Sequence, residues 1–527
     1  MRSFCMNFGQ ARVRLVQAGA VFSAAALVAG CGNNYRPVVT PVNPSGPAAQ
    51  PQSYAVVVSA PSSTTNGIAT IVDYSGDTKM AEAPILGVGP TTFAMDALGV
   101  TGFALNSDGT LTTFPVSSSL KEKQEVYTTL PSMAEPLNLF SSTGVLWAAD
   151  LDGNMADAFS GSPYTFLRSV PLPPTPVAIV GTGLRNFAIS QGNSQGGNVS
   201  SGVACNISPS TVGVNGEADG IEVASYTVSS QIPLGQCPVY AIMSTDARRV
   251  FVLNRGSDTI SVINTQTDML DTCSGLVSQS GQKVTCHPTL PLSLTAVNAL
   301  NAVTPGSGNP PNGTAGMTAT AGPVYAEYNA ATNQLIVANY DGGTISVIDV
   351  TLDEYGNDYN TYDSNGNITG GFGTTYTIPV GNNPASVTVL YDGSRAYTAN
   401  QTDQTVTIVN LSSHSVEKTL PVIGNPRTVA STQNSSYGKV YVASPNSPYL
   451  TIIRTDQDIV DATVLVEGNV VDVRTSTQNG TSGNSNNVSR TPGYGQPCNL
   501  PLSDFAPATN ISLTLSRCQA QDVTKLK

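Results

Sequence analysis

The chain has 527 residues, a formal net charge of −12 and two histidines, and only 11% of its residues are charged. This acidic balance disfavours nucleic acid as a partner, because binding a polyanion requires a basic surface. So few histidines argue against a histidine-ligated metal or haem, and we expect no cofactor.

Residues 1–30 have the features of a secretory signal. Arg2, Arg12 and Arg14 precede an apolar run over residues 21–29, which leads through Leu-Val-Ala-Gly to Cys31. This ending resembles the bacterial lipobox, which implies that Cys31 is lipidated and becomes the first mature residue. The alternative is an ordinary membrane anchor, for which the run is short. Cleavage would remove three arginines and no acid, leaving 20 basic and 35 acidic residues and a charge of −15.

The regions before and after the central domain are predicted to be spacers and a short tail. Residues 31–53 are rich in proline and are expected to form a semi-extended tether. Residues 477–497 form a linker of Asn, Ser and Gly, and residues 498–527 form a short tail. The domain itself is predicted to occupy residues 54–476.

A strand pattern repeats through that domain. Residues 254–264 (NRGSDTISVIN), 339–349 (NYDGGTISVID) and 400–410 (NQTDQTVTIVN) align without a gap, and in each copy a proline stands sixteen residues before the asparagine. β-branched runs alternate with Gly, Asp and Asn turns, which is the hairpin pattern. A repeat of about 40–45 residues made only of strands predicts an all-β fold, a β-propeller of four-stranded blades.

The number of blades follows from the strand that ends at the asparagine position. Eight such strands end at Ser59, Asn106, Asp150, Ser190, Asn254, Asn339, Asn400 and Ser444. They predict eight blades, with seven as the alternative if one unit is degenerate. The first unit lacks an inner strand, and Val470, Val471 and Val473 are placed to supply it, which would join the termini and remove the exposed sheet edges. Three insertions are expected, at residues 191–220, 265–322 and 351–373.

Two short motifs resemble a known family. Residues 397–400 (YTAN) and 441–444 (YVAS), each followed by a strand like TVTIVN, resemble the YVTN-type β-propeller repeats of surface-layer and other envelope proteins. Four units over about residues 248–468 match well, whereas the earlier units match in spacing only. The resemblance implies the propeller fold and a place in the cell envelope. It implies little about activity, because propellers carry many functions.

Six cysteines remain after Cys31, and an even number in an exported chain indicates disulfides. We expect pairs Cys205–Cys237, Cys273–Cys286 and Cys498–Cys518. A zinc site is the alternative, but the chain has no CxxC motif.

The remaining candidate sites are weak. Alternating oxygen side chains at Asp363, Asn365 and Asn367 suit calcium, but the loop has Ile368 where a calcium loop needs glycine, so we favour an Asn-Gly hairpin. Residues 192–196 (GNSQG) match the nucleophile-elbow pattern without the helix that it requires. Polar residues precede the innermost strands and either shape turns or contact a ligand at the channel rim: Gln236, Asn382, Asn383, Asn425 and Arg427.

Two functions from different classes follow. The first is a non-enzymatic lipoprotein anchored in the membrane, by sorting analogy the outer membrane, whose propeller binds an envelope protein, peptide or glycan. The second is an envelope hydrolase of lactonase type that uses the central channel, since the propellers of lactonases have similar repeats. No catalytic or metal-binding residues are assigned, and the lack of an acid–arginine–histidine constellation favours the first function.

Overall fold

The computed structural model describes residues 54–476, with gaps at 63, 97–98, 118–119, 121–124, 132–135, 143, 152, 183, 196–214, 273–285, 293–320 and 433–437. The described residues form 35 strands and contain no helix. Within this part of the chain there is thus no helix of the length and hydropathy needed to cross a membrane.

Eight antiparallel sheets form the blades of a β-propeller, and we letter the strands of each blade A to D from the inside outward. Blade 1 contains β1 (Tyr54–Ala60), β2 (Ile68–Asp73), β3 (Lys79–Ala83) and, as its strand A, the last strand β35 (Asn469–Thr475). Blade 2 contains β4 (Pro90–Met95), β5 (Thr101–Asn106), β6 (Thr110–Pro115) and β7 (Val126–Thr129). Blade 3 contains β8 (Pro136–Ser142), β9 (Val145–Asp150), β10 (Met155–Ser160) and β11 (Thr165–Pro171). Blade 4 contains β12 (Pro176–Gly181), β13 (Arg185–Ser190), β14 (Asn215–Glu222) and β15 (Thr227–Gln236).

The second half of the ring is built in the same way. Blade 5 contains β16 (Pro238–Met243), β17 (Arg249–Asn254), β18 (Thr259–Asn264) and a divided outer strand, β19 (Met269–Leu270) and β20 (Thr289–Pro291). Blade 6 contains β21 (Pro323–Asn329), β22 (Gln334–Asn339) and β23 (Thr344–Asp349), then a separate hairpin of β24 (Asn360–Tyr362) and β25 (Ile368–Gly371), and finally β26 (Thr375–Pro379). Blade 7 contains β27 (Pro384–Val389), β28 (Arg395–Asn400), β29 (Thr405–Asn410) and β30 (Ser415–Pro421). Blade 8 contains β31 (Thr428–Ser431), β32 (Lys439–Ala443), β33 (Tyr449–Arg454) and β34 (Ile459–Leu465).

The A strands form a closed ring. In order around the axis, β35, β4, β8, β12, β16, β21, β27 and β31 each contact the next, and β31 returns to β35. The predicted all-β fold with eight blades is therefore confirmed, and the seven-blade alternative is wrong.

The ring closes where the two ends of the domain meet. β35 pairs antiparallel with β1, with Val473 opposite Val57, as predicted for the inner strand of the first blade. Val470, Val471 and Val473 are all buried. The neighbouring seam, between blades 8 and 1, is joined by Lys439, whose Nζ donates to Tyr74 O at 2.6 Å.

Short polar side chains bridge neighbouring A strands near the axis. Ser386 Oγ on β27 accepts a bond of 3.2 Å from Val429 N on β31, and Thr388 Oγ1 donates to Ser431 Oγ at 3.0 Å. These residues stand forty-three positions apart, one blade repeat. The A strands of blades 7 and 8 thus satisfy polar groups of each other, while apolar side chains fill the space between these two blades.

A repeated asparagine ties strand B to strand C in blades 2, 5, 6 and 7. In blade 7, Asn400 Nδ2 donates to Thr405 Oγ1 at 3.1 Å and to Thr407 Oγ1 at 2.8 Å. The same two bonds join Asn106 to Thr110 and Thr112, Asn254 to Thr259 and Ser261, and Asn339 to Thr344 and Ser346. The asparagine that marked the repeat in the sequence is thus a buried structural donor.

The predicted insertions are shorter than expected because strands occupy parts of them. The first was placed at residues 191–220, but strand C of blade 4 begins at Asn215. The second, at residues 265–322, contains both pieces of the outer strand of blade 5. The third, at residues 351–373, holds the hairpin β24–β25.

Candidate functional site

The polar residues predicted at the channel rim lie just before a strand A, in connections except for Gln236, which is the last residue of β15. Asn382 is exposed and Asn425 is half-buried, and each binds the B–C turn of the blade that follows it. Asn382 N and Nδ2 each donate to Asp403 at 2.7 Å. Asn425 N donates to Asn446 Oδ1 at 2.7 Å, and Gln404 Nε2 donates to Asn425 Oδ1 at 3.1 Å.

Asn383 lies in the connection before blade 7, and Gln236 ends β15 just before blade 5. Asn383 is buried and has a φ of 56°, a left-handed conformation that asparagine tolerates better than most residues. Its Nδ2 donates to Tyr340 O at 3.3 Å, and its Oδ1 accepts from Thr402 Oγ1 at 2.6 Å. Gln236 N donates to Ser257 Oγ at 3.2 Å. The side-chain amides of Asn382, Asn383 and Asn425 therefore have internal partners.

A chain of buried contacts joins blades 5, 6 and 7 on the same face. Arg255 forms two bonds with Asp341, Nε to Oδ2 at 3.1 Å and Nη2 to Oδ1 at 2.7 Å. The Arg255 guanidinium also lies 5.4 Å from the ring centre of Tyr340, whose hydroxyl bonds to Gln401 Oε1 at 3.2 Å. Sequence analysis missed these residues, although one signal was present: Arg255, Tyr340 and Gln401 each follow the repeated asparagine.

Arg427 is the rim residue with unsatisfied donors. It is 4% exposed, and Nη2 donates to Val471 O of the neighbouring strand A at 3.2 Å. Its Nε and Nη1 have no hydrogen-bond partner among the described residues. Burial lowers the pKa of Arg427 to about 9, and nearby Asp472 opposes this shift. Asp472 is itself bonded to Arg474 Nη2, at 3.1 Å.

Neither histidine lies on an inner strand. His414 is in the C–D turn of blade 7, where its ring stacks on Tyr376 and burial lowers its pKa. His287 precedes β20 on the outside of blade 5. Both histidine side chains are therefore remote from the central axis.

His287 belongs to a polar cluster that joins blades 5 and 6. Its Nδ1 lies 2.7 Å from Asp358 Oδ2, and Arg249 Nε donates to Asp271 Oδ2 at 3.1 Å. Burial raises the pKa of Asp271 to about 6, and Asp358 adds to the rise while Arg249 opposes it. Ligand atoms of Asp271, Cys286 and Asp358 lie within 4.8 Å of one another, a metal-like spacing. The Arg249 guanidinium already offsets the negative charge of Asp271 and Asp358, so this cluster has less need of a metal ion.

This cluster fixes the segment 351–373, which we call the tyrosine loop. Arg249 Nη2 donates to Gly356 O at 2.7 Å, and Phe372 stacks on His287 with ring centres 5.5 Å apart. Tyr355, Tyr359 and Tyr362 remain 56%, 47% and 36% exposed. The loop thus presents three aromatic side chains from a base attached to blade 5.

The weak calcium candidates form the turn of this hairpin. Asp363 Oδ1 accepts from Asn365 N at 2.8 Å and from Asn367 N at 2.9 Å, and Oδ2 accepts from Asn367 Nδ2 at 3.0 Å. Both carboxylate oxygens therefore accept bonds from their own turn.

Two of the predicted disulfide cysteines lie within the described residues. Cys237 is buried ahead of β16, with Gln191 Nε2 at 3.7 Å from its sulfur, and Cys286 lies beside His287. Cys205, Cys273, Cys498 and Cys518 lie outside the described residues, as do Cys31 and the tether. The three pairings and the lipid attachment remain predictions.

Solved structures with a similar fold include the apo form of AztD from Citrobacter koseri, with a TM-score of 0.48 and 12% identity over 80% of this chain and 97% of that one. Another is a Bacteroides fragilis protein provisionally assigned as a 6-phosphogluconolactonase, with a TM-score of 0.46 and 12% identity over 82% of this chain and 99% of that one. No protein-family model and no curated protein matches the sequence. The YVTN resemblance therefore remains a prediction, and neither similarity bears on function.

Proposed function

We propose that the protein is a non-enzymatic binding module of the bacterial cell envelope, anchored through Cys31, and that the tyrosine loop contacts its partner. The partner is an envelope protein, peptide or glycan. The observation that carries this proposal is the combination of three exposed tyrosines with a buried, charged base.

The loop has the properties of a binding surface. Tyrosine is enriched at protein interfaces because it offers a large apolar face and a polar tip with few rotatable bonds. The base of the loop is held by the bond from Arg249 to Gly356 O and by the contact of His287 with Asp358. A surface that is ordered before binding loses less conformational entropy when the partner arrives.

The internal bonding of the rim supports a binding role over the hydrolase alternative. Catalysis needs polar groups that are free to meet a substrate. Asn382, Asn383 and Asn425 instead hold the connections between blades, and Arg255 is bonded to Asp341.

A photo-crosslinking amino acid placed at Tyr359 in living cells tests the proposal. We expect it to capture one discrete envelope component, and we expect Tyr355→Ser combined with Tyr362→Ser to abolish this capture. The matched control position is Tyr391, an exposed tyrosine in blade 7. Equal capture from Tyr391, or hydrolysis of a lactone that depends on Arg427, would contradict the proposal.

A further inference from the structure

Blade 4 departs from the asparagine motif at all three of its positions. Ser190 pairs with Glu217 across strands B and C, in the register in which Asn400 pairs with Thr405 in blade 7. Asp219 follows two residues later on the same strand face, at the position of Thr407. An amide donor and two hydroxyls are thus replaced by one hydroxyl and two carboxyls.

The three replacements leave oxygen atoms without donors. Ser190 Oγ, Glu217 Oε1 and Asp219 Oδ2 have no hydrogen-bond partner within the described part of the chain. These residues are 0%, 6% and 1% exposed. In blade 7 an amide nitrogen lies between the equivalent oxygens, and the shorter serine withdraws it. Buried polar atoms are rarely left in this state without a ligand.

Further contacts orient the two carboxylates. Ser194 donates to Glu217 Oε2 from its N at 3.2 Å and from its Oγ at 2.8 Å, so that Oε1 is left for another partner. Asp219 also accepts a hydrogen bond from the Gln231 side chain. Two buried carboxylates on one strand face place negative charge in a buried position, which a bound cation would neutralise.

We propose that blade 4 binds one hard metal cation, Ca²⁺ by the chemistry of its ligands, between Ser190, Glu217 and Asp219. The three unpartnered atoms are all oxygens, and carboxylates combined with neutral oxygens are the ligands that Ca²⁺ prefers. The Leu172 carbonyl is a candidate fourth ligand. Leu172 stands four residues before the strand A proline, as Val380 does in blade 7, and Val380 O lies 2.7 Å from Thr407 Oγ1.

Blade 3 supplies a matched control. It also has an acid at the third position of the asparagine motif, Asp157. Met155 stands two residues earlier, where blade 4 has the oxygen-bearing Glu217. Asp157 Oδ1 accepts a bond from Ser169 Oγ at 2.5 Å. Blade 3 therefore has buried acids without the oxygen set of blade 4.

The test uses the full mature chain after removal of metal with EDTA, and the probes are CaCl₂ and MgCl₂. Isothermal titration should show one Ca²⁺ bound per chain. Thermal melts should shift upward by a few degrees at saturating Ca²⁺. Trp147, stacked on Tyr226 of blade 4 with ring centres 5.6 Å apart, reports that the region is folded.

Variants assign the binding to blade 4. Ser190→Asn combined with Glu217→Thr and Asp219→Thr restores the motif of the other blades and should abolish Ca²⁺ binding in a folded protein. Glu217→Gln, a smaller change, should weaken it at least tenfold. Asp150→Asn combined with Asp157→Thr should leave it intact. Absence of saturable binding of either ion at about 10 mM, above the dissociation constants usual for extracellular modules, would overturn the proposal. So would binding that survives in the triple variant.

Discussion

Arg249, Arg255 and Arg474 are fully buried, and each guanidinium meets a carboxylate. A guanidinium cannot give up its proton at physiological pH, so each of these contacts offsets a charge that would otherwise be buried alone. Within the described part of the chain, Arg427 bonds only to a backbone carbonyl. At the scale of residues, the seam between blades 8 and 1 is therefore where buried charge is least compensated.

Asp157 leads to a prediction about pH at the same scale. Burial raises its pKa from 3.8 to about 6, and the bond from Ser169 opposes the rise. The pKa is higher in the folded state than in the unfolded state, so the protonated carboxyl contributes to the free energy of unfolding. This contribution is complete below pH 3.8 and is lost as pH rises through 6. Asp157→Asn cannot ionise. It should therefore raise the free energy of unfolding at pH 8 by about 2 kcal/mol relative to its effect at pH 4.

Thermal melts of the variant and wild type from pH 4 to pH 8, with EDTA present, measure this difference. Asp456→Asn is the control, because Arg454 lowers the pKa of this exposed aspartate. In the Asp456 variant, the melting temperature should fall with rising pH as steeply as in the wild type. If the melting temperature of the Asp157 variant fell as steeply as that of the wild type, the Asp157 carboxyl would not be the cause of the pH dependence.

At the scale of elements, β35 completes a blade whose other strands come from the opposite end of the domain. Its partner β1 has both neighbours paired, β35 on one side and β2 on the other. Without β35, strand β1 would expose an edge of unpaired backbone groups, and Val470, Val471 and Val473 would lose their burial.

Deleting residues 469–476 should therefore lower the free energy of unfolding by about 5 kcal/mol or more, at roughly 1.5–3 kcal/mol for each buried valine. Deleting residues 477–527 should have little effect, because these residues follow the last strand of the ring. Melts followed by fluorescence of Trp147 compare the two truncations. Equal melting temperatures would mean that β35 does not stabilise the ring.

The elements that sequence could predict were those that keep a fixed spacing. The proline and asparagine positions gave the strands of blades 5 to 7, and the valines near residue 470 gave the closing strand. Glycine three residues before the proline accompanies the asparagine at Gly87, Gly235 and Gly381. A Cβ at Gly381 would lie 2.7 Å from Asn400 Nδ2.

The candidate site was harder to predict because an insertion hides the repeat in blade 4. Glu217 and Asp219 fell inside the predicted insertion, whereas they belong to strand C. Once the register is known, the departure from asparagine and hydroxyls is visible in the sequence. The base of the tyrosine loop depends on residues that are far apart, such as Arg249 and Asp358, and no local pattern joins them.

At the scale of the whole molecule, the lipobox resemblance predicts where the protein resides. Cys31→Ser should leave the chain without lipid and release it from the membrane fraction. Fractionation of cells and the mass of the mature protein test this, and Cys5→Ser, within the signal, is the control that should retain the anchor. Membrane association and lipid mass that persist in the Cys31 variant would contradict the prediction.

The closure of the ring also sets an order of events in time. Tyr54 N bonds to Ser476 Oγ, and Ser476 N bonds to Tyr54 O, both at 2.8 Å, so the first and last described residues meet. A ribosome adding 5–20 residues per second needs roughly 20 to 80 seconds to travel from β1 to β35. During that interval blade 1 has three strands and an open edge. The protein can therefore become a closed ring only after β35 has been synthesised, and every earlier state exposes a strand to pairing with another chain.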